Sequence, residues 1–128
     1  MLRRVVVTGL GAVSPNGIGE KEFWDNTCKG ISGIDRITSF DPVSLACQIA
    51  GEVTNFDPSL YYSPTELKKL PRTVPLAVAA TEEALASAGI DLGSFSEKDF
   101  ESLGVIVGTG GSGFDFSEKQ FEIYFSQH

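Results

Sequence analysis

The sequence contains few of the residues that build disulfide and metal sites. It has two cysteines, Cys28 and Cys47, and a single histidine, His128. Two cysteines cannot supply a disulfide framework, so we expect a reducing, cytoplasmic environment. One histidine and two separated cysteines give no zinc-binding pattern, and the acidic residues form neither an HExxH nor an EF-hand arrangement. The sequence therefore predicts no metal site, and it gives no support for a Cys–His catalytic pair.

Long apolar runs and an excess of positive charge are also missing. No apolar run approaches the roughly 18–20 residues of a membrane helix. The short run after Arg4 is broken by Gly9 and Gly11, which does not fit a signal peptide. Ten Lys and Arg against 17 Asp and Glu give a net charge of −7. Nucleic-acid binding depends on positive charge that contacts phosphates, so we expect no nucleic-acid partner. The absence of a long apolar run likewise predicts no membrane partner.

What the sequence does contain is an alternation of apolar strands and helices. Strands are predicted at 3–8 and 104–107, because the three valines at 5–7 and the residues 104–107 lack polar alternation, which is typical of strands buried on both faces. A loop is predicted at 32–42 and a weaker strand at 48–53. Helices are predicted at 20–29, 74–88 and 117–128, and a further helix opens at a capping box formed by Ser63 and Glu66. This order predicts an α/β layered fold. Two strong strands are too few to fill a sheet, so we expect an incomplete chain or one that needs a partner.

A glycine pattern, Gly108-x-Gly110-x-x-Gly113, follows the second strong strand and precedes a predicted helix. This is the context of a dinucleotide site, in which a helix N-terminus would hold a pyrophosphate. A flexible turn is the alternative. The pattern comes late, and the chain ends before the acidic residue expected about 20 positions further on. We favour the turn and keep a dinucleotide-binding oxidoreductase module as the weaker hypothesis.

Lys68, Lys69 and Arg72 form the one basic cluster of this acidic chain. On a continuous helix these positions share a face, although Pro71 lies among them. A solvated helix face is the ordinary interpretation of such a cluster. The functional interpretation is a docking patch for an acidic partner.

Several segments follow one another in an order that is specific as a series. They are Arg3–Gly17 (RRVVVTGLGAVSPNG), Glu22–Trp24, Gly30–Ile34, Phe40–Asp41, Ala50–Val53, Phe56–Asp57, the Ala-rich helix that ends at Gly89, and Gly104–Gly110. From residue 3 to about residue 113 this series resembles the β-ketoacyl-acyl-carrier-protein synthases, the condensing enzymes of fatty-acid synthesis.

The resemblance implies a thiolase-like fold with α-β-α-β-α layers, in which residues 1–128 are an incomplete segment of the N-terminal half. It implies that an acyl group passes from acyl carrier protein to a cysteine. Decarboxylative condensation with malonyl-carrier protein then extends it by two carbons. The family's catalytic cysteine and two histidines lie downstream, so no catalytic residue is expected here and the segment alone is expected to be inactive. The resemblance also implies a homodimer and no cofactor.

Two sites follow from the same resemblance. Lys68 and Lys69, with Arg72 beside them, would dock the acidic carrier protein. Residues 110–112 (Gly110, Gly111 and Ser112) would border the acyl pocket, with Gly111 at a bulky gating position where a glycine would leave more room. A non-catalytic relative, such as the chain-length partner of a polyketide ketosynthase, keeps the fold without the cysteine and stays open as an alternative.

Overall fold

The computed structural model describes residues 3–111 and 113–127. Ser112, which the resemblance assigns to the acyl pocket, and His128 lie outside the described residues. The strands and helices are β1 (Val13–Ser14), β2 (Gly17–Ile18), α1 (Glu20–Cys28), β3 (Ile34–Arg36), β4 (Ile49–Gly51), α2 (Pro64–Leu67), α3 (Thr73–Ser87), α4 (Glu97–Glu101) and α5 (Phe114–Ser126). Single turns of 3-10 helix cover Pro58–Leu60 and Leu92–Ser94. The mixture of strands and helices confirms the predicted α/β class.

The strands pair as two small antiparallel ladders. In the first, Val13 of β1 lies opposite Ile18 of β2 across a tight turn. In the second, Asp35 of β3 lies opposite Ala50 of β4. The strand predicted at 48–53 is therefore confirmed in its central residues. Its partner β3 falls in a stretch that the sequence predicts to be a loop.

The two apolar strands predicted at 3–8 and 104–107 are not formed in the described part of the chain. The structure assigns no strand to either stretch. Val5 is 94% exposed and Ile106 is 99% exposed. The physical reason is that a strand needs a neighbour to complete its hydrogen-bond ladder, and neither stretch has one among the described residues.

The helices agree more closely with the sequence. The helix predicted at 74–88 is α3, and Pro75 lies in its first turn, where a missing N–H costs little. The predicted capping box is present, since the Ser63 Oγ accepts from the Glu66 N–H and the Glu66 carboxylate accepts from the Ser63 N–H. Helix α2 nevertheless ends at Leu67. Helix α5 begins three residues before the predicted start at Ser117.

Close backbone packing holds the segment before β1 against α3. A Cβ atom at Gly9 would lie 2.1 Å from the Ala84 carbonyl oxygen, and one at Gly11 would lie 1.9 Å from the Ala80 carbonyl oxygen. Any side chain at these glycines would therefore collide with helix backbone. The Gly9-x-Gly11 pair is a packing device in which small residues on both sides let a chain segment lie directly on the helix.

The Glu83 carboxylate adds a polar link between the same elements. Its Oε2 accepts from the Ala12 N–H at 2.8 Å, and its Oε1 accepts from the Glu20 N–H at 2.7 Å. The second donor is one of the unpaired N–H groups in the first turn of α1. One side chain of α3 thus positions both the segment before β1 and the start of α1.

Much apolar surface stays uncovered in the described chain. The accessible surface is 10,501 Å², whereas a compact monomer of this mass exposes about 6,600 Å². Ala79, at 5% exposure, is buried in α3, as is Pro75 of the same helix. Aromatic and aliphatic side chains around 5–7, 105–107 and 121–125 are exposed. These faces have the character of surfaces that pack against further protein. No helix within the described ranges has the length and apolar character needed to cross a bilayer.

Candidate functional site

The basic cluster lies at the junction between α2 and α3. Lys68 is the C-terminal cap of α2, Lys69 follows in the turn, and Arg72 immediately precedes α3. Because α2 ends before these residues and Pro71 interrupts the chain, they do not share one face of a continuous helix. That helical interpretation of the cluster is wrong. Lys68 and Arg72 line a common groove, whereas Lys69 is outside it.

We call this cavity the α2–α5 groove; it has a volume of about 680 Å³. Its apolar lining residues are Phe56, Pro58, Leu67, Leu70, Pro71, Pro75, Phe116 and Ile123. Its charged lining residues are Lys68, Arg72 and Lys119, with Asp115 as the single carboxylate. The groove therefore combines an apolar wall with an excess of positive charge, in a chain whose net charge is −7.

The cations of the groove are available for an external partner. Among residues 3–111 and 113–127 the ion pair present joins Lys21 and Asp25, and neither Lys68 nor Lys119 has a carboxylate within ion-pair distance. The Arg72 guanidinium donates to the Val53 carbonyl oxygen, which holds its position. Two ammonium groups and one anchored guanidinium can thus attract an anionic surface.

The glycine turn that precedes α5 adjoins the groove. Gly111 and Gly113 have positive φ angles of 113° and 87°, a region that side chains other than glycine rarely adopt. A Cβ atom at Gly113 would lie 3.3 Å from the Pro71 Cβ. The turn assigned by resemblance to the acyl pocket therefore touches the segment that carries the basic cluster.

Phe114 occupies the room expected at Gly111. A Cβ atom at Gly111 would lie 2.8 Å from the Phe114 Cε2. At Gly110, by contrast, an added Cβ would meet no atom within 4 Å. Sequence reasoning missed this approach of the Phe114 ring to Gly111, since no pattern in the sequence indicates it.

The structure does not support the dinucleotide hypothesis. Such a site needs a strand that delivers the glycine turn to a helix N-terminus. The described residues form no strand at 104–107. The turn interpretation accounts for Gly111 and Gly113, since both have positive φ angles.

The cysteines and acidic residues form no further reactive cluster in the described ranges. Cys28 and Cys47 are exposed free thiols. No three His, Cys, Asp or Glu side chains of residues 3–111 and 113–127 lie together so that they could hold a metal ion. Hydrogen bonds from Ser39 and Thr38 lower the pKa of Glu52 to about 2, and they tie the loop after β3 to the end of β4. The perturbed Glu52 is therefore a structural acceptor.

Nearly the whole chain is similar to known proteins. The family model described as the β-ketoacyl synthase N-terminal domain matches residues 2–127. The tetracenomycin polyketide synthase ketoacyl synthase beta subunit of Streptomyces glaucescens is 40% identical over 118 residues, which cover 92% of this chain and 28% of that protein. The 3-oxoacyl-[acyl-carrier-protein] synthase 2 of Staphylococcus aureus (strain COL) is 36% identical over 121 residues, with the same coverage of 92% and 28%. The chain thus spans 28% of the length of these relatives.

A solved structure gives the same result for the fold. The ishigamide ketosynthase/chain length factor superposes with a TM-score of 0.61 at 35% identity, over 76% of this chain and 23% of that chain. The predicted thiolase-like fold is thereby confirmed, as is the resemblance on which it rested. The relative's chain is several times longer, since the matched part covers 23% of it.

Proposed function

This chain belongs to the β-ketoacyl synthase family, and from that premise we propose that residues 1–128 form the N-terminal segment of a condensing acyltransferase of fatty-acid or polyketide synthesis. The complete protein transfers an acyl group from acyl carrier protein to a cysteine thiolate. The malonyl-carrier protein then loses carbon dioxide, and its α-carbon attacks the acyl carbonyl carbon. The thiolate leaves, and the product is a β-ketoacyl-carrier protein two carbons longer.

The described segment contributes docking and scaffold to this reaction. We place the catalytic cysteine and two histidines outside it, since Cys28 and Cys47 are exposed thiols with no histidine beside them among the described residues. The observation that carries the proposal is the α2–α5 groove. An acidic chain concentrates three cations around one groove, and an acidic carrier protein is the partner that this charge arrangement favours.

We assign the glycine turn to the border of the acyl pocket, as the resemblance implies. Gly110 and Gly111 would present only backbone atoms to this pocket, and the Phe114 ring narrows the space beside Gly111. Acyl length in this protein would then depend on Phe114 as well as on the absent side chain at 111. We also propose a homodimer and a cytoplasmic location.

A second candidate function is a non-catalytic chain-length partner of a ketosynthase. It is favoured by two similarities, one to a ketoacyl synthase beta subunit and the other to the ishigamide ketosynthase/chain length factor. Such a subunit would keep the fold and the groove without the reactive cysteine. A condensation assay separates the two candidates.

In this assay the full-length protein receives acyl- and malonyl-carrier protein, and the carrier-bound products are measured by mass. The same protein after thiol alkylation is the control. We expect a β-ketoacyl product that alkylation abolishes. Product that forms only after a separate ketosynthase subunit is added would instead establish the non-catalytic candidate.

A further inference from the structure

The tight turn between β1 and β2 places an asparagine directly before a glycine, at Asn16 and Gly17. In such a pair the backbone nitrogen of the glycine can attack the side-chain Cγ of the asparagine, because no side chain on the glycine hinders the approach. A C–N bond forms, ammonia leaves, and a cyclic succinimide results. Water then opens the ring to aspartate or isoaspartate. Asparagine counts among the thermolabile residues of proteins.

Packing against α1 fixes the glycine of this pair. Gly17 is buried, and a Cβ atom there would lie 2.5 Å from the Phe23 nitrogen and 2.8 Å from the Glu22 carbonyl carbon. Both atoms belong to helix backbone, which cannot rotate aside as a side chain can. Only glycine therefore fits beside α1, so the reactive pair is a requirement of the fold.

Hydrogen bonds from α1 hold the asparagine in place. The Asn16 Nδ2 donates to the Thr27 Oγ1 at 3.1 Å, and the Asn26 Nδ2 donates to the Asn16 carbonyl oxygen at 2.8 Å. The Thr27 hydroxyl itself donates to the Phe23 carbonyl oxygen. Asn16 is thus fixed by its side-chain amide and by its main chain, and its Cγ cannot turn freely toward Gly17.

The attacking nitrogen is engaged as well. Gly17 lies opposite Ser14 in the β1–β2 ladder. Next to this pair, the Gly19 N–H donates to the Ala12 carbonyl oxygen at 2.8 Å. Hydrogen-bonded pairs alternate along an antiparallel ladder, so Ser14 and Gly17 are the next such pair. The Gly17 N–H must leave the ladder before its nitrogen can attack Asn16, and the folded turn therefore opposes the reaction at both reacting groups.

The product would not fit the site that the asparagine occupies. The Asn16 Oδ1 is buried and has no hydrogen-bond partner among the described residues. A carboxylate would place negative charge there and would lose the donor to the Thr27 hydroxyl. Glu22 and Glu52 line the same cavity as Asn16, so the new charge would lie near two further acids. An unpaired buried charge and a lost hydrogen bond both destabilise the folded state.

We propose that Asn16 is a deamidation site that the folded β1–β2 turn protects, and that its conversion to aspartate or isoaspartate releases this turn from α1. The inference is independent of the proposed function, since it depends on one turn and one helix. Because ammonia is lost, a molecule that has reacted cannot restore the original contact.

The test compares deamidation of the full-length protein in native buffer and in urea, at one pH and temperature. Mass spectrometry of proteolytic peptides measures the conversion of each asparagine, and an isoaspartyl methyltransferase assay measures isoaspartate. Asn26 and Asn55 are internal controls, because Thr27 and Phe56 follow them and hinder the same attack. We expect Asn16 to convert at least about tenfold faster in urea, since opening of the turn limits the native rate, and the controls to convert slowly in both.

Thr27→Val tests the protecting hydrogen bond, because it removes the acceptor and keeps the branched shape. Thr81→Val is the matched control, since the Thr81 hydroxyl on α3 likewise donates to the carbonyl oxygen four residues earlier. We expect Thr27→Val to raise the conversion of Asn16 in native buffer roughly 3- to 10-fold and to leave its rate in urea unchanged. Thr81→Val should match the wild type in both, and circular dichroism verifies that each variant is folded.

Asn16→Asp supplies the product directly, and Asn55→Asp is its control because Asn55 is exposed on the same cavity. We expect the thermal midpoint to fall for Asn16→Asp alone, and a midpoint equal to that of the wild type would refute the release of the turn. Equal rates for Asn16 in native buffer and in urea would overturn the protection. Conversion of Asn16 in urea no faster than that of Asn55 would overturn the site itself, and unchanged conversion in Thr27→Val would exclude the hydrogen bond as its protection.

Discussion

The contact between Gly11 and α3 gives a prediction whose size can be worked from the structure. In the substitution Gly11→Ala the new Cβ would lie 1.9 Å from the Ala80 carbonyl oxygen and 2.8 Å from the Ala84 nitrogen. Real contacts of this kind seldom fall below about 3.0 Å, so the segment before β1 must move by more than 1 Å. The obstructing atoms are helix backbone, which cannot rotate aside as a side chain can.

Overpacking of this kind costs about 1–3 kcal/mol, and more where the backbone is rigid. Ala12 follows Gly11 in the chain, so the displacement would also lengthen the hydrogen bond from the Ala12 N–H to Glu83. We therefore expect Gly11→Ala to lower the free energy of unfolding by about 2–4 kcal/mol, since a strained hydrogen bond adds about 1 kcal/mol.

The assay is urea unfolding of the full-length protein, followed by tryptophan fluorescence and circular dichroism. Lys98→Ala is the control, because Lys98 is exposed on α4 and its substitution removes side-chain atoms without adding a contact. We expect the control to stay within about 0.5 kcal/mol of the wild type. Equal stabilities of the Gly11→Ala variant and the wild type would refute the close packing of this segment on α3.

Two further predictions concern carboxylates. Glu83→Gln should lower the free energy of unfolding by about 1–3 kcal/mol, because the amide group cannot accept from both the Ala12 and the Glu20 N–H and leaves one donor unpaired. Urea unfolding measures this loss, and an unchanged midpoint would contradict the link that Glu83 makes between α3 and the start of α1. The pKa of Glu52 falls from 4.5 to about 2 in the folded chain. Its hydrogen bonds therefore stabilise the fold above pH 4.5, and this stabilisation is lost as the pH falls through about 2. Glu52→Gln should flatten that part of the stability curve in an acid titration, and a curve with the same slope as the wild type would argue against the assignment.

Local signals in the sequence are the ones that predict structure here. The Ser63–Glu66 capping box forms because both partners lie within one turn. The Ala-rich helix forms over nearly the predicted range, since its spacing and composition favour a helix wherever it packs. The family resemblance could be recognised for a related reason, because it rests on short motifs in a fixed order and not on contacts between distant residues.

Features that depend on residues far apart in the chain could not be predicted from the sequence. Residues 3–8 and 104–107 have the composition of central strands, but composition alone cannot supply the neighbouring strand that completes a ladder. Strand β3 is the converse case, since its three exposed residues look like a loop and become a strand by pairing with β4.

The candidate site shows the same division. The cations at 68 and 72 could be found as a cluster, whereas Lys119 joins them only because α5 packs beside the α2–α3 junction. The Phe114 ring lies over Gly111 because the intervening turn has positive φ angles. No pattern in the sequence encodes either of these approaches.

The central claim is that this chain is part of a carrier-protein-dependent condensing enzyme. Its most direct measurement is the mass of the acyl group on the carrier protein after the full-length protein has acted on acyl- and malonyl-carrier protein. The account predicts a carrier-bound β-ketoacyl group two carbons longer than the acyl substrate, with release of carbon dioxide. An acyl group of unchanged mass in the reaction of this protein alone would contradict it, and product that forms only with an added ketosynthase subunit would establish the non-catalytic candidate instead.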